Sequence, residues 1–194
     1  MQHAESGYAR RKHPEEGRHT PTRKLEFIGH DGNRLAGQLD VPMGPPRAYA
    51  LFANCFTCSK DVLASVHISA VLARAGIAVL RFDFTGLGMS EGEFANTNFS
   101  TNVADRVCAA DLLRSEYQAP ALLVGHSLGG AAVLAAAGRI PEVKTVAALA
   151  APSEPAQIEQ LLGATATRRR KLSCSGAVSP PSVSSSKTSK NQTV

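Results

Sequence analysis

A chain of 194 residues with 43% hydrophobic residues and a net charge of +5 is long enough for one domain with a real core. The positive charge is uneven. Residues 1–22 carry a balance of +1 and residues 23–162 a balance of −2, while 163–194 hold six basic side chains and no acidic one. The folded part is thus mildly acidic, and the Arg168-Arg169-Arg170-Lys171 run in a Ser-rich tail is no nucleic-acid footprint. No stretch approaches the ~18 uninterrupted apolar residues of a membrane span, and the polar N-terminus lacks the apolar core of a secretory signal. The expectation is a cytoplasmic protein without membrane or nucleic-acid partners. Its four cysteines, Cys55, Cys58, Cys108 and Cys174, are then expected as free thiols.

Residues 1–22 show neither helical nor strand periodicity and read as a disordered extension. "RKLEFIG" and "RLAGQLDVP" alternate apolar with polar residues around "HDGN", where Asp31-Gly32 marks a hairpin turn and His30 is a solvated turn residue. From Tyr49 the grammar changes. "YALFA" is a continuous apolar run, as in a strand covered on both faces. "KDVLASVHISAVLARAG" has helical spacing at Val62, Val66, Val71 and Leu72 and ends on Gly76, a C-cap signal.

"IAVLRFDF" is a second buried strand, "TNVADRVCAADLLRSEY" an amphipathic helix and "ALLVG" a third strand. "GAAVLAAAGR" is a helix and "KTVAALAAP" a further strand. Alternating strands and helices imply right-handed crossovers and a mostly parallel, doubly wound α/β sheet, here preceded by an antiparallel hairpin. The domain is placed at 23–162. Residues 163–194 lose all periodicity and are assigned to a disordered basic tail. The sequence does not specify an oligomeric state.

The chemistry concentrates at "LLVGHSLGGAAVLAAA", residues 122–137. An apolar strand runs into Gly125-His126-Ser127-Leu128-Gly129, and a helix of small residues follows at once. Such a turn raises a serine hydroxyl for attack on a carbonyl, with the flanking glycines letting strand and helix backbones come close.

On "GHSLGG" (125–130), "RFDFTGLGMSEG" (81–92) and "FANCFTCSKD" (52–61), the chain over about residues 22–162 resembles the α/β-hydrolase family. The last two motifs, with "GEFANTNFS" (92–100), are similar to the hydrolase half of bacterial proteins that fuse an α/β hydrolase to an OsmC-like domain. The resemblance implies an incomplete α/β-hydrolase fold and ester- or amide-type acyl hydrolysis of a small-molecule substrate, with no cofactor and no metal. Ser127 would be the nucleophile, and the backbone N–H groups of Leu128 and Phe56 would form the oxyanion hole. Asp83, Gly86, Gly88 and Ser90 match a structural turn, and His126 matches a packing residue of the elbow.

Two departures stand out. Asn54 occupies a position where the family usually has histidine. The six histidines are His3, His13, His19, His30, His67 and His126, and none follows Ser127; the only carboxylates after it are Glu142, Glu154 and Glu159. The order Ser, then Asp or Glu, then His cannot be written, so a truncated, inactive or weakly active hydrolase is expected. His67 reads as a half-exposed helical residue, and Asp83 near its ordinary pKa is a poor base for a serine hydroxyl.

Two alternatives remain beside this reading. One is a non-catalytic binding protein that keeps the pocket. The other is thiol redox chemistry through Cys55-Phe56-Thr57-Cys58, a C-x-x-C between a strand and a helix. No phosphate loop is present, because "TGLGMSEG" lacks the terminal Gly-Lys-Ser/Thr.

Overall fold

The computed structural model describes residues 20–55 and 58–152. The calls on residues 1–19 and 153–194, including the disordered tail, lie outside them. The hairpin forms as the turn signal predicts: β1 (Thr22–Ile28) pairs antiparallel with β2 (Arg34–Asp40), and Gly32 supplies the positive φ of 81° that a tight turn requires. β3 (Ala48–Ala53), β4 (Ile77–Phe82), β5 (Leu122–His126) and β6 (Thr145–Leu149) are parallel to one another. The six strands lie in the order β1-β2-β4-β3-β5-β6. Three helices connect them: α1 (Leu63–Arg74), α2 (Phe99–Glu116) and α3 (Leu128–Ala137).

Both faces of the central strands are covered, which explains their continuous apolar runs. Side chains alternate across a strand, so Leu51 and Ala53 of β3, with Leu80 and Phe82 of β4, join α2 and α3 in the larger core. Ala50, Phe52, Val79 and Val124 face the other way, where Ile68 and Leu72 of α1 pack against them.

The helices differ from the sequence expectation in detail. α1 buries Ser65, Ser69 and Ala73, not the valine stripe; Val62 is its N-cap and Val71 is 55% exposed. Small side chains let the helix approach the sheet closely, and that proximity outweighs the size of the valines. α2 is not simply amphipathic, since it buries Asn102, Asp105 and Arg106 beside Val103, Leu112 and Leu113. Its N-terminus carries a capping box, Asn98 accepting from the Thr101 N–H while the Thr101 hydroxyl accepts from the Asn98 N–H.

The buried polar groups of α2 answer elements distant in sequence. Asp105 accepts the His30 N–H at 2.9 Å and the Thr85 hydroxyl at 3.1 Å, so it fastens the hairpin turn and the β4 loop to α2. His30 is therefore more than a solvated turn residue. Arg106 lies over the Phe84 ring at 4.5 Å and donates to the Asn102 carbonyl at 2.6 Å. Burial lowers its pKa to about 9.

β6 is the last strand of the sheet, and among the described residues nothing pairs with its outer edge. Thr145, Ala148 and Leu149 are exposed on it. No described helix is long and apolar enough to cross a membrane.

Two outcomes follow from this packing. Burial, opposed by the His30 and Thr85 hydrogen bonds, raises the Asp105 pKa above its ordinary 3.8. The native state therefore holds this proton to higher pH than the unfolded chain, and stability falls as pH rises through the raised value. Urea unfolding of wild type and Asp105→Asn should show the variant gaining relative stability as pH climbs from about 4; a constant difference would contradict this. A bare edge strand also invites pairing between chains. The purified chain should self-associate by light scattering, and Thr145→Lys, placing a charge on that edge, should reduce the association.

Candidate active site

The site is built where β5 turns into α3. Ser127 has φ 55° and ψ −127°, a backbone conformation that a non-glycine residue adopts only when its surroundings impose it. Those surroundings are visible. The Ser127 N–H donates to the Leu149 carbonyl at 2.8 Å, and the Ser127 carbonyl accepts the Gly130 N–H at 2.8 Å. A Cβ on Gly125 would lie 2.7 Å from Gly130 Cα, and one on Gly129 would run into the carbonyl oxygens of Ala53 and Asn54. Both glycines are thus required by backbone contact, as the motif predicts.

Leu128 is the first residue of α3, so its N–H belongs to the helix's first turn, where donors have no intrahelical partner and attract negative charge. Ser127 is half-buried, and among the described residues nothing hydrogen-bonds its hydroxyl. Phe56, the other expected oxyanion donor, lies outside the described residues. The loop that contains it begins at Ala53 and Asn54, in contact with the first turn of α3.

Asn54 is buried and its amide donates across the loop to the Ser59 carbonyl at 3.0 Å. The residue that departs from the family pattern therefore still braces this loop. Lys60 closes it. Its N–H donates to Asp83 Oδ1 at 2.6 Å and its ammonium to Asp83 Oδ2 at 2.7 Å. Burial works to lower the Lys60 pKa, but the hydrogen bond and charge of Asp83, with Asp61, outweigh it and leave the pKa raised.

Asp83 is fully buried and also accepts the Met89 N–H at 3.1 Å, while the Ser90 hydroxyl donates to its backbone carbonyl at 2.6 Å. With Gly86 and Gly88 at positive φ, this is the structural turn that the motif implies. A carboxylate with both oxygens engaged in this way is a structural group, not a base. Arg81 extends the cluster, donating to the Lys60 carbonyl and pairing with Asp40 at 2.8 Å.

None of the described histidines is hydrogen-bonded to Ser127. His126 and His67 are exposed, the latter more so than expected, and His30 meets Asp31 at 3.3 Å. His3, His13 and His19 lie outside the described residues. The free-thiol expectation fails at the C-x-x-C: Cys55 and Cys58 are bonded to each other, with Cα atoms 5.3 Å apart, a separation a disulfide spans readily. The physical reason is a tight turn in which the Cys58 N–H donates to the Cys55 carbonyl at 3.1 Å. No group of metal-binding side chains occurs among the described residues.

A mostly parallel α/β sheet with a strained serine between a strand and a helix defines the architecture of an α/β hydrolase. The comparisons agree. The chain belongs to this family: residues 60–194 match the family model described as "Serine aminopeptidase, S33". It is 30% identical over 116 residues to the monoglyceride lipase of Rattus norvegicus, covering 58% of this chain and 38% of that protein. Among solved structures it is similar to the esterase domain of a Rhodothermus marinus protein, with 51% identity and a TM-score of 0.60. That match covers 72% of this chain and 54% of the other. It is also similar to Est1E from Butyrivibrio proteoclasticus, solved with ferulic acid bound, at 25% identity and a TM-score of 0.60, covering 64% of this chain and 52% of that one. The chain thus spans about half or less of the relatives it matches.

The contact beneath the elbow yields a direct test. Gly129→Ala places a methyl against two backbone carbonyls that cannot rotate away, and should cost about 2 kcal/mol or more. Its thermal midpoint should fall by several degrees; an unchanged melt would mean that α3 moves off β3 freely.

Proposed function

We propose that this chain carries an esterase- or lipase-type acyl-transfer site with Ser127 as nucleophile, taking a small acyl substrate in the cytoplasm. The observation that supports it is the half-buried Ser127 at φ 55° between β5 and α3, its hydroxyl without a hydrogen-bond partner among the described residues. In the reaction, Ser127 Oγ bonds to the carbonyl carbon and its proton leaves. The carbonyl oxygen becomes an oxyanion, stabilised by the Leu128 N–H and by a second amide for which Phe56 is the candidate. Collapse expels the alcohol or amine with a proton and leaves acyl-Ser127, which water hydrolyses to the acid.

Within the 194 residues no histidine or aspartate follows Ser127. The proton therefore has no imidazole to receive it, and turnover should lie about 10⁴- to 10⁶-fold below that of a complete triad. The missing base favours a second reading, a pseudo-hydrolase that keeps the pocket and binds acyl compounds without turning them over. A redox role for Cys55 and Cys58 has less support, because it leaves the elbow unexplained.

A fluorophosphonate probe should label the protein slowly, and Ser127→Ala should abolish that labelling. Labelling at the rate of an efficient serine hydrolase would instead reveal a base, and labelling that survives Ser127→Ala would remove Ser127 from the role.

A further inference from the structure

The loop of residues 54–60 has one end in the site and the other in a buried ion pair. At its start, the carbonyl oxygens of Ala53 and Asn54 lie against Gly129, directly beneath Ser127 and Leu128. At its finish, Lys60 grips Asp83 twice, with main chain and side chain, and both residues are buried. The Lys60 carbonyl takes the Ser65 hydroxyl at 2.9 Å and the Arg81 guanidinium. Asn54 spans the two ends through the Ser59 carbonyl.

Much of this hardware exceeds what a surface turn needs. An ammonium and a carboxylate taken out of water gain little net stability over an apolar pair of the same shape. What they add is direction, because the donors and acceptors meet in only one register. Asp83 itself is fixed by the Met89 N–H and by a Cβ-free Gly88 at φ 56°, where any side chain would strike its carboxylate. The anchor is therefore rigid, and the chain attached to it inherits that rigidity.

We propose that Lys60 is a positioning residue of the Ser127 site: its double grip on Asp83 sets the loop of residues 54–60 against the first turn of α3, so that a loop amide and the Leu128 N–H converge on one oxyanion. This rests on the reading of Ser127 as nucleophile. Lys60 acts through the loop and touches no substrate. A misplacement of about 1 Å in such a donor costs on the order of 100-fold in rate, whereas the stability of the fold need not change with it.

The test uses the full chain and separates geometry from stability. Lys60→Met alone leaves the Asp83 charge buried and unpaired, so the variant is expected to be destabilised and is uninformative unless paired with Asp83→Asn. The double variant Lys60→Met/Asp83→Asn removes both charges and should recover much of the lost thermal stability. Two further readouts are taken on it. Amide hydrogen exchange over residues 50–60 should be about tenfold faster than in wild type, with exchange in the β1–β2 hairpin unchanged. Ser127-dependent fluorophosphonate labelling at high probe concentration should be about 100-fold slower. Glu26→Gln, on the hairpin, serves as the unaffected control.

A double variant with wild-type exchange in the loop would overturn the proposal and leave Lys60 a stabilising residue only. Faster exchange with unchanged labelling would overturn it as well, since the loop would then move without consequence for Ser127. Labelling in wild type that Ser127→Ala does not abolish would count against the hydrolase reading itself, while the exchange measurement still decides whether Lys60 holds the loop.

Discussion

The first turn of α3 lies so close to the end of β3 that a single Cβ on Gly129 would collide with the carbonyls of Ala53 and Asn54. That contact is the constraint on which the rest of the site depends. It forces Ser127 out of the ordinary allowed regions, to φ 55°, because the chain must reverse from strand to helix within one residue while the two backbones touch. The cost of such a conformation is on the order of 1–3 kcal/mol. It is offset by the surrounding ladder: β5 is held between β3 and β6, and the Ser127 N–H is satisfied by Leu149. The same proximity delivers the loop that follows β3 to the unpartnered N–H groups that open α3. Nucleophile and oxyanion donors are thus consequences of one packing decision.

A second layer of control is electrostatic and lies away from the serine. Asp40, Lys60, Arg81 and Asp83 are all buried, and each finds an oppositely charged partner. Buried pairs of this kind contribute specificity more than net stability, and here they tie elements that the hydrophobic core does not fix in register. Arg81 pairs with Asp40 of β2 and reaches the Lys60 carbonyl, so β4, β2 and the start of α1 share one set of hydrogen bonds. Asp105 performs the equivalent task on the other side, joining the hairpin turn and the β4 loop to α2.

The legible parts of this fold are those in which local pattern and tertiary environment agree. Asp31-Gly32 announces its turn, the apolar runs of β3, β4 and β5 announce burial on both faces, and Gly125-His126-Ser127-Leu128-Gly129 carries its own context of strand before and small-residue helix after. The illegible parts are those decided by distant elements. Val71 looks like core by spacing, yet the close approach of α1 to the sheet selects Ser65, Ser69 and Ala73 instead. Asp105 and Arg106 look like a solvated face, yet His30, Thr85 and Phe84 enclose them from sites 20 or more residues away in sequence. Lys60 was a candidate for nothing. Its neighbour Asp83 was recognised through a motif, but no periodicity connects a lysine to a carboxylate 23 positions later. The Cys55–Cys58 bond was missed for another reason: compartment argued for thiols, whereas the turn between the two residues brings the sulfur atoms together.

What the described part of the chain supplies to acyl chemistry is therefore unequal. Orientation of the hydroxyl and stabilisation of an oxyanion come from backbone, and backbone geometry is fixed by β3, β5, β6 and α3, all of which are present. Proton transfer requires a side chain of suitable pKa within hydrogen-bond reach of Ser127, and the described histidines and Asp83 are each committed elsewhere or exposed to water. Oxyanion stabilisation and substrate binding without a base retain a residual acceleration of about 10³- to 10⁴-fold over water. The two contributions are separable because they arise from different parts of the fold: the first from the close-packed strand-to-helix turn, the second from whatever group is brought to the open side of Ser127. An arrangement of this kind holds a carbonyl compound well and turns it over poorly, and the ratio between those two abilities measures how much of hydrolase function resides in the backbone alone.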